Sequence, residues 1–209
     1  MTDVPDLGAF SEGLSYAEYR VDWHRQVQDA PSSGAGASER RLHHYLRYNW
    51  KRQTHVHEAY APSETLRSAL DALEAPQAWR VLTEPWCGDS AFLLPVIAEA
   101  AALSDQVSLR ILLRDENLNL MDQYLTNGSR SIPKLVAFSE AGKELFVWGP
   151  RPAPAARRFA ALQEEYEDKS ALVGTFLEHY EDGGWQAADT ELAGQLRSVV
   201  GASSSVAEG

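Results

Sequence analysis

Apolar and polar positions along this chain switch between a helical and a strand period, and the switches mark out most of its elements. Behind Ser15-Tyr16-Ala17-Glu18, which has the serine-to-glutamate spacing of a capping box, Tyr16, Tyr19, Trp23 and Val27 recur at helical spacing. That stripe predicts a helix docked on the body, after an irregular lead-in over 1–14. Small residues over 31–37 read as a flexible linker, and a second helix is expected from Ser38 to about Tyr60. A third begins at Pro62-Ser63-Glu64, shows Leu66, Leu70 and Leu73 on one side and ends before Pro76. The period then changes. Trp79 to Thr83 and Val107 to Leu113 have the continuous hydrophobicity of strands covered on both faces, and the alanine-rich stretch Cys87 to Leu103 between them reads as helix. Strand, helix and strand within about 35 residues predict a right-handed parallel unit.

Downstream, Asn117 to Leu125 reads as a short helix terminated by Asn127-Gly128. Lys134 to Phe138 and Glu144 to Trp148, separated by a turn with Gly142, predict an antiparallel hairpin. After Gly149-Pro150-Arg151-Pro152 a long closing helix is expected. Its stripe of Phe159, Leu162, Tyr166, Val173, Phe176, Leu177 and Tyr180 runs to Gly183-Gly184 with a break near Ser170. A last short helix from about Thr190 precedes a tail, 201–209, read as disordered. The divisions that follow are an N-terminal helical extension (1–60), a central domain with an elongated last helix (61–182), and a C-terminal short helix with a flexible tail (183–209).

The chemistry concentrates at the junction of the first strand and its helix. Cys87, the single cysteine, lies there, where unpaired backbone N–H groups and the positive end of the helix favour a thiolate. A chain of 209 residues that is 44% hydrophobic can bury one sizeable core. Its net charge of -11 argues against nucleic acid and anionic membrane as partners, both of which call for clustered positive charge. One cysteine excludes an internal disulfide. The first twenty residues lack a basic start and an apolar h-region, and no stretch approaches a membrane span, so a cytoplasmic setting is expected. The second helix is basic, with Arg40, Arg41, Arg47, Lys51 and Arg52, whereas the closing helix is acidic. The two are expected to pack near each other, within one chain or across a homodimer. His55 and His57 stand at i and i+2, on different sides of a helix, and no cysteine or carboxylate follows at ligand spacing, so no metal site is assigned.

Trp86-Cys87-Gly88-Asp89-Ser90 resembles the thioredoxin family's Trp-Cys-Gly-Pro-Cys, with Asp for proline and Ser for the second cysteine. Pro95, eight residues after the cysteine, matches the proline that kinks the family's active-site helix. Arg130-Ser131-Ile132-Pro133 leading into a strand resembles its Arg-Gly-Ile-Pro segment, whose proline is cis and lies against the active-site sulfur. The resemblance spans about 63 to 160 and implies a three-layer α/β/α core around a four-stranded mixed sheet, with helical extensions at both ends. It also implies that Cys87 is the nucleophile. Ser90 would donate a hydrogen bond that lowers the thiol pKa, and Asp89 would raise it. Arg130 would offset Asp89, and Trp86 and Ile132 would form an apolar rim beside Pro133 for a partner polypeptide. Val81 replaces the family's buried carboxylate. Glu84 could substitute only by turning inward, and is expected not to.

Three functions stay open. In the first, Cys87 attacks a protein or small-molecule disulfide and an external low-molecular-weight thiol such as glutathione completes turnover, since Ser90 cannot; no cofactor is needed. In the second, the fold is a redox-inactive protein-binding module. In the third, Cys87 is a sensor oxidised to sulfenic acid and capped by a small thiol.

Overall fold

The computed structural model describes residues 13–207, with side chains through 202. The lead-in lies outside the described residues except for its end, where Leu14 makes an antiparallel bridge to Ile111 rather than remaining irregular. The capping box forms as spaced: the Ser15 hydroxyl accepts from the Glu18 N–H while the Glu18 carboxylate accepts from the Ser15 N–H, and this starts α1 (Tyr16–Gln28). Tyr19 and Trp23 are buried, and the Trp23 indole donates to the Leu46 carbonyl of α2 (Ala37–Ala59) at 3.2 Å. α3 (Glu64–Asp71) is capped by the Ser63 hydroxyl.

The sheet comprises β1 (Gln77–Thr83), β2 (Val107–Leu113), β3 (Lys134–Ser139) and β4 (Glu144–Trp148) in the order β2-β1-β3-β4. β1 and β2 are parallel, Gln77 opposite Val107, and are joined through α4 (Gly88–Ala102), whereas β3 runs antiparallel to both β1 and β4. Alternation along the strands divides the core. Trp79, Val81, Leu135 and Ala137 face the large cluster built with Phe92, Leu93, Ile97 and the other helices, while Val136 and Phe138 face the opposite side. That second layer is thin, formed among the described residues by Val136 and Phe138 with Ala78, Leu120, Tyr124 and Val147. α4 carries Pro95 inside it and is apolar nearly all round, as a helix enclosed by the core must be.

Two expected elements, the helix from Asn117 and the last helix, take another form. The helix from Asn117 shrinks to a 3₁₀ turn at Arg114–Glu116 and one turn of α5 (Leu118–Met121). Asn127 and Gly128, both with positive φ, then form a tight turn closed by Thr126 and Ser129 instead of ending a helix. The closing helix breaks near Ser170 as expected, into α6 (Ala153–Glu165) and α7 (Lys169–Glu181), because the Asp168 carboxylate accepts from the Ser170 and Ala171 N–H groups and restarts the chain. The last helix, α8 (Ala187–Ala207), begins earlier than Thr190 and continues through 201–207, where a disordered tail was expected. The basic and acidic helices meet within the chain through Arg52 and Glu181, 2.9 Å apart.

A buried carboxylate fastens α8 to the body. Asp189 accepts from the Tyr60 hydroxyl at 2.6 Å, the Ser63 N–H at 2.9 Å and the Ser63 hydroxyl at 2.5 Å. Asp189→Ala strands these donors and is expected to lower stability by about 2–3 kcal/mol, measured by urea denaturation. A loss below about 0.5 kcal/mol would show that the three bonds hold nothing in place.

Candidate functional site

β1 ends at Thr83 and the turn Glu84-Pro85-Trp86 delivers Cys87 as the N-cap residue of α4. The turn is fixed from three sides. The Cys87 N–H donates to the Glu84 carbonyl at 3.1 Å, and the Asn49 amide of α2 donates to the Pro85 carbonyl at 3.2 Å. The Glu84 carboxylate, contrary to the outward orientation expected, is turned in and only 7% exposed; it accepts from the Asp115 N–H at 2.8 Å. Burial raises its pKa. Trp86 is half-buried, with the Arg114 guanidinium 4.7 Å from its ring centre.

The sulfur of Cys87 is packed among Leu82, Leu112, Met121 and Ile132, and the residue is 8% exposed. The thiol donates to the Ile132 carbonyl at 3.4 Å. The Ile132–Pro133 peptide is cis and Pro133 is buried. Ile132 is likewise buried, 5% exposed, and its carbonyl is the acceptor of the thiol. Burial opposes the thiolate that the position of Cys87 favours. Burial pushes the thiol pKa up to about 11, and the Asp89 carboxylate adds to the rise. The Ser90 hydroxyl and the N–H groups of Ser90 and Asp89 pull the other way and are outweighed. Desolvating an anion costs more than one helix end returns.

Asp89, 9% exposed, is the charged centre beside the sulfur. The cation that offsets it is Arg151 and not Arg130. Arg151 forks the carboxylate with 2.9 and 2.7 Å bonds, and the Tyr180 hydroxyl donates to it at 3.0 Å. Arg130 instead grips Asp122 on an exposed loop, at 2.6 and 2.7 Å. Arg151 is held flat, its guanidinium 3.7 Å from the ring centre of Phe159 and 5.0 Å from that of Phe176, and Tyr180 stacks on Phe92 at 5.1 Å. Leu177 of α7 closes over Gly88, where an added Cβ would lie 3.0 Å from its Cδ2.

A family model described as Thioredoxin matches residues 37–165. The chain belongs to the thioredoxin family. Two solved structures are similar. The crystal structure of an HIV epitope-scaffold superposes with a TM-score of 0.59 at 15% identity, over 92% of this chain and 98% of that one. A protein of unknown function from Pseudomonas aeruginosa gives 0.57 at 16%, over 90% and 95%. At these identities the likeness is one of fold. No curated protein matches.

Within this thioredoxin-family chain, the structure brings Cys87, Asp89, Ser90, Trp86, Ile132 and Pro133 together and leaves Arg130 apart. Sequence reasoning passed over Arg151, Tyr180 and Met121. A pair separated by 62 positions has no spacing to read, and Tyr180 looks like one more apolar stripe position. The faint signal was an arginine set between two prolines where an apolar strand gives way to a helix. Arg151→Met leaves the Asp89 carboxylate buried without a counter-charge and is expected to destabilise the fold by about 3–5 kcal/mol in urea denaturation. Adding Asp89→Asn should recover most of that loss; no recovery in the double variant would mean the two residues act separately.

Proposed function

We propose that this thioredoxin-family chain acts as a binding module whose thiol is held neutral and unreactive in the folded protein. The observation that carries the reading is the burial of Cys87 among apolar side chains, with a pKa pushed up to about 11. At neutral pH such a thiol supplies roughly 300-fold fewer thiolates than one with a pKa of about 8.5. The absence of a second cysteine agrees with it, since nothing in the chain could resolve a mixed disulfide.

A second reading is supported by the groups that face the sulfur. The Ser90 hydroxyl and two backbone N–H groups are placed to receive a thiolate once the apolar cover is displaced. Cys87 would then attack one sulfur of a disulfide and expel the other as a thiolate, which takes up a proton from water. An external thiol would displace the captured group as a new disulfide and regenerate Cys87. Asp89 and Ser90 tune the sulfur in this reading, with Trp86, Ile132 and Pro133 as the substrate rim.

Alkylation of Cys87 by iodoacetamide at neutral pH separates the two. The binding module predicts a reaction at least about 100-fold slower in the folded protein than in concentrated guanidinium, accelerating as pH rises toward 11. Equal rates in the folded and unfolded protein would overturn it. Reduction of a glutathionylated peptide by the native chain and not by Cys87→Ser would then assign monothiol exchange.

A further inference from the structure

Beside the buried thiol, but separate from its apolar pocket, a cavity of about 550 Å³ opens between α2 and the first turns of α7. Trp86 and Gly88, the residues on either side of Cys87, form its floor. The volume is that of a small-molecule site. Tyr45, Tyr48 and Val173 line it, and all three are large apolar side chains left exposed, at 46%, 49% and 42%. Neither tyrosine hydroxyl has a hydrogen-bond partner among the described residues. On a chain of net charge -11 the cavity is lined by Arg52, Lys169 and His44, and by no carboxylate among the described residues. Arg52 is already paired with Glu181, whereas Lys169 makes no ion pair among the described residues. Asp168, next to Lys169, is occupied in capping α7.

One wall residue is chemically unexpected. Gly174 sits in the middle of α7, where glycine costs about 1 kcal/mol relative to alanine. A Cβ built on it would meet nothing within 4 Å, so neither helix packing nor a neighbouring side chain excludes a larger residue. What a side chain at that position would consume is the cavity itself.

We propose that this cavity is a binding site for a small aromatic carboxylate or its sulfonate analogue. The aromatic body would lie against Tyr45, Tyr48 and the edge of Trp86, and its acid group would face Lys169, with Arg52 behind. A flat anionic ligand matches these walls: the rings of Tyr45 and of Tyr48, the latter packed on His44 at 4.3 Å, for its faces, a lysine without an ion pair among the described residues for its charge, and an open Gly174 for its thickness. A second copy of the chain fits less well, because the recess reaches inward to Gly88 and Leu177 instead of presenting a flat face. The inference deepens the binding-module reading and names the class of ligand. Its readout does not involve the thiol, so a fast-reacting Cys87 would refute that reading while leaving this test intact, and the converse also holds.

The test titrates the full chain with 8-anilinonaphthalene-1-sulfonate and, separately, with neutral N-phenyl-1-naphthylamine, which keeps the rings and lacks the acid. The expected result is one site for the sulfonate, with the neutral probe about tenfold weaker. Lys169→Gln should weaken the sulfonate about fivefold and leave the neutral probe unchanged. Gly174→Phe should abolish binding of both probes without lowering the melting temperature, and Tyr48→Ala should weaken both, giving an independent check on the same cavity. Equal affinity for the two probes, unaltered binding in Gly174→Phe and Tyr48→Ala, or several equivalent weak sites would overturn the proposal. A dimer in sedimentation that Tyr48→Ala dissociates would also overturn it and give this face to a second copy.

Discussion

Removal of one sulfur from water is the constraint on which the rest of this molecule turns. Cys87 is delivered to the start of α4, where the helix end and three nearby donors favour an anion, and there it is packed among Leu82, Leu112, Met121 and Ile132. The contest is quantitative. A helix terminus contributes about 0.3–1 kcal/mol to a nearby charge. The rise of the thiol from 9.0 to about 11, net of every favourable donor, opposes ionisation by about 3 kcal/mol. Position and burial therefore give opposite answers, and burial prevails.

The surrounding elements enforce that outcome together. Asp89 would be intolerable as an unpaired anion at 9% exposure, and its charge is met by Arg151 at the start of the α6 segment and by Tyr180 of α7. Helices beyond the sheet and α4 are thus part of the site. α7 lays Leu177 over Gly88, and α2 holds the Pro85 turn through Asn49. The excursion after β2 brings Met121 into the buried cluster that holds Cys87, and Arg114 onto Trp86. The same arrangement that closes the thiol leaves a recess on the other side of Trp86 and Gly88, walled by α2 and α7 and bearing the opposite charge to the chain as a whole.

Local pattern carried most of the fold because the sheet is built from consecutive or nearly consecutive segments, and each strand's hydrophobicity depends only on being covered. β2 and β4 match their predicted limits, and the junction motif placed Cys87 correctly at the helix start. The departures lie in the segment after β2, which forms only one turn of α5, and at the C-terminal end, where α8 continues past 201. The site was legible as a set of residues and illegible as an environment. Exposure of Cys87 depends on Met121 and Ile132, and the partner of Asp89 depends on where Arg151 emerges from β4. Arg130 was assigned to Asp89 by analogy, but Asp122, eight positions before it, is the nearer carboxylate.

Because the chain has a single cysteine, labelling that residue type with ¹³C at Cβ gives one resonance whose shift follows ionisation of this sulfur alone. Titrated in the native protein, that resonance should hold its neutral-thiol position through pH 9 and move with a midpoint near 11. A midpoint at or below about 8.5 would show the sulfur solvated and available, and would contradict the account.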